Sequence, residues 1–223
     1  MKGRIAEIFE SIQGEGIYTG VKQVFVRFFG CNLHCRYCDT KLYRYDEYLP
    51  QEVLYRVQRF GNASPFVALT GGEPLLQVDF LKEIASLLKH DGRVTYLETN
   101  GTLPGQLSEV IAKIDIIAMD IKLASSTGMP SFIAQHREFL KVAKAKEVFI
   151  KIVASKDTRA SEMIEAFSLV AEFDKNIPVI LQPNFFEFGQ ALWDRMEEFK
   201  ALGQNYLNDI RVLAQFHKIV GAR

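Results

Sequence analysis

The 223-residue chain carries only three cysteines, no net charge (27 Lys and Arg against 27 Asp and Glu) and no long apolar run. Each absence excludes something. Balanced charge removes the electrostatic case for nucleic acid as the main partner. No stretch approaches the roughly 20 apolar residues of a membrane helix. Met1-Lys2-Gly3-Arg4 leads straight into a polar-alternating segment and lacks the apolar stretch of a signal peptide. A reducing, cytoplasmic setting is expected. There, an odd set of clustered cysteines indicates metal binding or redox chemistry rather than a disulfide framework. Low-complexity tracts, internal repeats and long linkers are also missing. With 48% hydrophobic and 24% charged residues, the chain reads as a single domain over residues 1–223.

What is present starts with the cysteines. Cys31, Cys35 and Cys38 bring three soft thiolates onto one short loop, as Cys-x3-Cys-x2-Cys. Structural zinc takes four ligands, and ordinary electron-transfer clusters take four cysteines. A four-iron cluster held by three cysteines keeps one iron open to a substrate or cosubstrate. The competing reading is a zinc knuckle completed by His34 or by a remote His90, His136 or His217. An iron–sulfur electron carrier would favour a fourth cysteine, and none exists.

Short apolar runs alternate with amphipathic segments. Strands are expected at 24–29, 66–70, 94–99, 114–121, 147–153, 179–182 and 210–213, several of them β-branched and apolar throughout, as in a parallel sheet buried on both faces. Helical spacing links Phe80, Leu81, Ile84, Leu87 and Leu88. It also links Met163, Ile164, Phe167, Val170 and Ala171, and then Leu192, Trp193, Met196 and Phe199. Further helices are expected from Pro50 to residue 60 and after Pro130. This alternation predicts an α/β fold, an open or partial (β/α) barrel of about six parallel strands with flanking helices. Ligands of such folds sit at the carboxyl ends of the strands. Polar groups do follow five strands: the cysteine loop, Gly71-Gly72-Glu73-Pro74, Glu98-Thr99-Asn100-Gly101, Asp120-Ile121-Lys122 and Gln182-Pro183-Asn184.

The cysteine motif, with aromatic Tyr37 before its last member, resembles the cluster motif of radical S-adenosylmethionine (radical SAM) enzymes. Gly71-Gly72-Glu73-Pro74 resembles that superfamily's second motif, which holds the methionine amino group of the cosubstrate. The resemblance implies a 4Fe-4S cluster whose open iron chelates S-adenosylmethionine. One electron then releases a 5′-deoxyadenosyl radical that abstracts a substrate hydrogen.

Within the superfamily, Ile8-Phe9-Glu10-Ser11-Ile12-Gln13-Gly14-Glu15-Gly16, Val26-Arg27-Phe28-Phe29-Gly30, Cys38-Asp39-Thr40, Leu69-Thr70 before the glycine pair, Glu98-Thr99-Asn100-Gly101-Thr102 and Gln215-x-His217-Lys218 are similar to the 7-carboxy-7-deazaguanine synthase family, nearly end to end. That family contracts 6-carboxy-5,6,7,8-tetrahydropterin to 7-carboxy-7-deazaguanine with loss of ammonia, a step toward queuosine and other deazapurines. The resemblance implies pterin contacts from Ile12, Gln13, Gly14, Glu15, Arg27 and Thr70. It implies cosubstrate contacts from Tyr37, Cys38, Asp39, Gly72, Glu73, Asp120, Ile121 and Lys122, with Glu98 and Asn100 lining that pocket and Gln182-Pro183 closing it. It implies a magnesium ion on Thr40, a flavodoxin- or ferredoxin-like electron donor, and a homodimer. An amide and a carboxylate suit an aminopyrimidinone edge, and the Arg27 fork suits a carboxylate. Without the resemblance, Arg27 would be read as half of a structural ion pair, and Asp39-Thr40 as a turn or helix cap. A glycyl-radical activating enzyme would share both motifs but act on a protein backbone. Arg27, Gln13 and Glu15 favour a small carboxylated substrate instead.

Overall fold

The computed structural model describes residues 1–61, 64–219 and 221. The chain runs β1 (Gly3–Ile12), β2 (Lys22–Phe28), β3 (Asp46–Tyr48), α1 (Pro50–Gln58), β4 (Phe66–Gly71), α2 (Val78–His90), β5 (Val94–Thr99), α3 (Pro104–Val110), β6 (Ile116–Asp120), α4 (Ala124–Thr127), α5 (Ile133–Ala143), β7 (Glu147–Ala154), α6 (Ala160–Phe173), β8 (Val179–Pro183), α7 (Gln190–Gly203), β9 (Ile210–Val212) and α8 (Phe216–Ile219). One nine-stranded sheet, ordered β3-β1-β2-β4-β5-β6-β7-β8-β9, is parallel from β2 to β9 and antiparallel at β1 and β3. The expected α/β architecture with a mostly parallel, unclosed sheet is what is found, with seven parallel strands rather than six. Among the described residues, no helix is long and apolar enough to cross a membrane.

Two faces follow from the period-2 alternation of side chains. Val24, Val26 and Phe28 of β2, Val67 and Leu69 of β4, and Ile117 and Met119 of β6 face the helices and form the larger core. Phe25, Ala68, Tyr96, Ala118, Phe149 and Ile180 face the other way and form a second, smaller core. The loop at 13–21 crosses that face, and Tyr18 packs edge-on to Tyr96 (5.6 Å between ring centroids) while its hydroxyl donates to Glu147 Oε1 at 2.6 Å. Gly16 makes the crossing possible: its φ is +70°, and a Cβ there would stand 2.3 Å from the Phe149 ring.

Five elements escaped the sequence pattern, among them the four-residue α4 and α8. β1 carries a bulge between Ile5 and Glu7, so its two helix-facing residues, Ile5 and Ile8, are three apart instead of two. β3 spans three residues, and α3 is too short for its buried pair, Leu107 and Val110, to reveal a period. The strand expected at 114–121 is shorter because Asp115 bends the chain: its Oδ2 accepts from the backbone and hydroxyl of Thr95, at 3.0 and 2.9 Å. The terminal Val220, Ala222 and Arg223, to which no role was assigned, lie outside the described residues.

Candidate active site

The cysteine loop begins where β2 ends, and the β4 turn holds it. Gly71 (φ +132°) donates its place to backbone: a Cβ there would lie 2.2 Å from Phe28 O, and one on Gly72 would lie 2.0 Å from Gly30 O. That contact lets Gly72 N bond Phe28 O (3.0 Å) and Glu73 N bond Gly30 O (2.8 Å). On its other side the loop is tied to α4 by Arg36, whose N and Nη2 donate to Thr127 O (2.9 Å) and Ser125 O (2.8 Å). Asn100 adds a bond to Asn32 Oδ1 at 2.9 Å.

The loop forms one wall of a cavity of about 510 Å³ at the carboxyl ends of the strands. Cys31, Cys35 and Cys38 all line it. Burial pushes the thiols of Cys31 and Cys35 up, so a metal must supply the stabilisation that keeps them ionised. Among the described residues, no three His, Cys, Asp or Glu side chains group as a single metal ion requires. His90 Nδ1 bonds Ser86 O and His136 Nε2 lies 3.2 Å from Asn100 O, while the side chain of His217 is outside the described set. Thiolates on three separate irons need no such convergence, and the open cavity beside them leaves room for a ligand on the fourth.

Above the apolar floor, alternation places a polar layer: Arg27 on β2, Thr70 on β4, Glu98 on β5, Asp120 on β6, Lys151 on β7 and Gln182 on β8, all lining the cavity. Glu98 receives Gln13 Nε2 at 2.8 Å on one oxygen and Thr70 Oγ1 at 2.6 Å on the other. Glu15 Oε2 meets Lys151 Nζ at 2.5 Å, and its Oε1 accepts from Gln215 (2.5 Å) and Gln182 (3.3 Å). Lys151 also lies 3.4 Å from Asp120 Oδ1, whose Oδ2 receives Lys122 Nζ at 2.7 Å. Lys218 of α8 pairs with Asp39, next to the cysteines. Burial alone would raise Glu15, but the Lys151 ammonium and the Gln215 bond bring its carboxyl down to about 2. Burial likewise opposes the charges of Lys122 and Lys151, and Asp120 holds both well above the ordinary range. The Tyr37 hydroxyl is buried without a hydrogen-bond partner among the described residues, with Lys122 over its ring at 5.3 Å.

Ile12, Gln13, Gly14, Glu15, Arg27, Tyr37, Cys38, Asp39, Thr40, Thr70, Gly72, Glu98, Asn100, Asp120 and Lys122 all line this one cavity. Two expected residues do not. Glu73 is fully buried behind the cavity, accepting from Leu75 N (3.1 Å), Thr99 Oγ1 (2.9 Å) and Asn100 N (2.8 Å); burial pushes its carboxyl up to about 7 against those donors. Its work is to join the β4 turn to the end of β5. Ile121 points into the helix-side core because it alternates with Asp120 and Lys122. Glu98, expected at the cosubstrate, has both oxygens engaged by Gln13 and Thr70. Arg27 keeps the structural pairing too, at 3.4 Å from Glu7. Lys151 was missed, although a lone lysine inside Val148-Phe149-Ile150-Lys151-Ile152-Val153 was the available signal.

The model of the Radical SAM superfamily matches residues 25–154. The chain is 36% identical to 7-carboxy-7-deazaguanine synthase of Geobacter sulfurreducens, covering 97% of this chain and 96% of that one. It is 33% identical to the enzyme of that name from Archaeoglobus fulgidus over 100% of both. In fold it resembles the crystal structure of QueE from Escherichia coli, with a TM-score of 0.69, 23% identity and coverage of 97% and 95%.

Proposed function

The chain belongs to the radical SAM superfamily and, within it, to the 7-carboxy-7-deazaguanine synthases; from that premise we propose how the residues of its cavity serve the reaction. The protein converts 6-carboxy-5,6,7,8-tetrahydropterin to 7-carboxy-7-deazaguanine with loss of ammonia, on the queuosine pathway. Its cofactors are a 4Fe-4S cluster and S-adenosylmethionine, and an external donor supplies the electron. When bound, cluster and cosubstrate together supply the carbon-centred radical that takes a hydrogen atom from the pterin.

The residues divide the cavity in two. Cys31, Cys35 and Cys38 hold the cluster. Gly72 offers bare backbone beside it, and Tyr37, Asn100, Asp120 and Lys122 face the cosubstrate, with the unpartnered Tyr37 hydroxyl available as donor or acceptor. Facing them, Gln13, Glu15, Thr70 and Arg27 hold the pterin: amide, carboxylate and hydroxyl match its donor and acceptor edge, and Arg27 its carboxylate. Glu98 orients Gln13 and Thr70 through its two bonds. Thr40 would offer a hard oxygen to a magnesium ion, which would supply a template that orients the substrate. The chain acts as one radical SAM domain that pairs into a homodimer, with a flavodoxin- or ferredoxin-like donor.

The observation that carries this reading is the set of three thiols lining one cavity together with the polar layer. Spin resonance tests it. The signal of the reduced, reconstituted cluster should change on adding S-adenosylmethionine. Cys35→Ala should retain no cluster. Thr40→Ala should keep the cluster and the spectral change yet turn over slowly. A signal indifferent to the cosubstrate would return the protein to electron carriage.

A further inference from the structure

Lys151 sits in the middle of β7, 6% exposed, on a strand whose neighbouring residues are apolar. A buried ammonium is costly unless paired, and replacing a whole buried ion pair by well-packed apolar side chains is often no less stable. Its partners give the charge a purpose. Glu15 belongs to the crossing loop, on the pterin side; Asp120 ends β6, on the cosubstrate side. The two carboxylates come from elements far apart in the sheet order, and Lys151 is where they meet.

The pairing is asymmetric. Asp120 has a second cation, Lys122, at 2.7 Å. Glu15 has no cation but Lys151 among the described residues. An ammonium carries three donors. Glu15 takes one, Asp120 Oδ1 at 3.4 Å pairs by charge without a hydrogen bond, and the rest of the ammonium has no hydrogen-bond partner among the described residues, on a side chain that lines the cavity.

We infer that Lys151 is a positioning residue for the pterin half of the site: it clamps Glu15 against β7 and offers its remaining N–H to an acceptor oxygen of the heterocycle. This rests on the pterin reading above. It assigns the residue to one ligand and not the other, because removing the ammonium strands Glu15 and leaves Asp120 paired.

The test uses Lys151→Met in the full-length reconstituted enzyme. The KM for the tetrahydropterin should rise about tenfold or more, the scale of a lost charge-assisted contact. The KM for S-adenosylmethionine should stay within about threefold, while the melting temperature should fall, because Glu15 is left as an unpaired buried charge. Glu15→Gln should show the same pterin-specific defect, and the double variant should be no worse than the worse single one. Lys151→Arg, which keeps the cation, should restore most of the pterin KM and carries the comparison should the Met variant not fold. In cluster-free protein, 6-carboxypterin should raise the melting temperature of the wild type and not of Lys151→Met. Equal rises in both KM values, an unmoved pterin KM, or fully additive variants would each overturn the assignment. Wild type run in parallel separates the two claims: if it cleaves the cosubstrate without converting this pterin, the substrate reading fails first.

Discussion

At Glu15 two effects oppose one another: burial favours the protonated carboxyl, and Lys151 with Gln215 favours the ionised one and prevails. The folded-state value of about 2 lies below the ordinary 4.5. A depressed acid stabilises the fold above its unfolded value and loses that contribution as pH falls through the folded one. The loss therefore falls between pH 4.5 and about 2, on the order of 3 kcal/mol. Denaturant titrations should find Glu15→Gln less stable than wild type at pH 7, with the gap narrowing toward pH 2; a gap independent of pH would remove the ionic account. The cysteines were legible because cluster ligation is local: three residues on one loop. Lys151 and Gln215 were not, since they reach Glu15 across 136 and 200 residues of sequence, and only the tertiary fold brings them there.

Among elements, the loop at 13–21 carries the most consequence. It presents Gln13 and Glu15 to the cavity and packs the half-buried Tyr18 against the smaller core, pivoting on Gly16. Gly16→Ala meets both a positive φ and the Phe149 ring, so it should destabilise by about 2 kcal/mol or more. Gly20→Ala, also at positive φ but with open space around its Cβ, should cost less. Equal melting temperatures for the two would contradict the packing described. The spacing of this glycine-rich stretch cannot reveal that it crosses the face of the smaller core, because no period-2 or 3.6 pattern records a long-range crossing. The parallel strands were legible for the opposite reason, as continuous apolar runs buried on both faces.

At the scale of the whole molecule, strands adjacent in the sheet lend one cavity residues from almost the full chain, from Ile12 to Lys218. The rule that ligands lie at strand carboxyl ends predicted the rim. What it could not supply was the division of labour, such as Glu73 and Ile121 turning away while Glu98 aligns its neighbours. That division depends on which face each alternating residue takes and on which oxygens are already engaged. The central claim is that this cavity joins a radical source to a pterin pocket. The most direct measurement is anaerobic turnover: reconstituted, reduced protein given S-adenosylmethionine, magnesium and 6-carboxy-5,6,7,8-tetrahydropterin, with products read by mass spectrometry. The account predicts 7-carboxy-7-deazaguanine together with 5′-deoxyadenosine. 5′-Deoxyadenosine alone, from protein with an intact cluster, would contradict the pterin pocket.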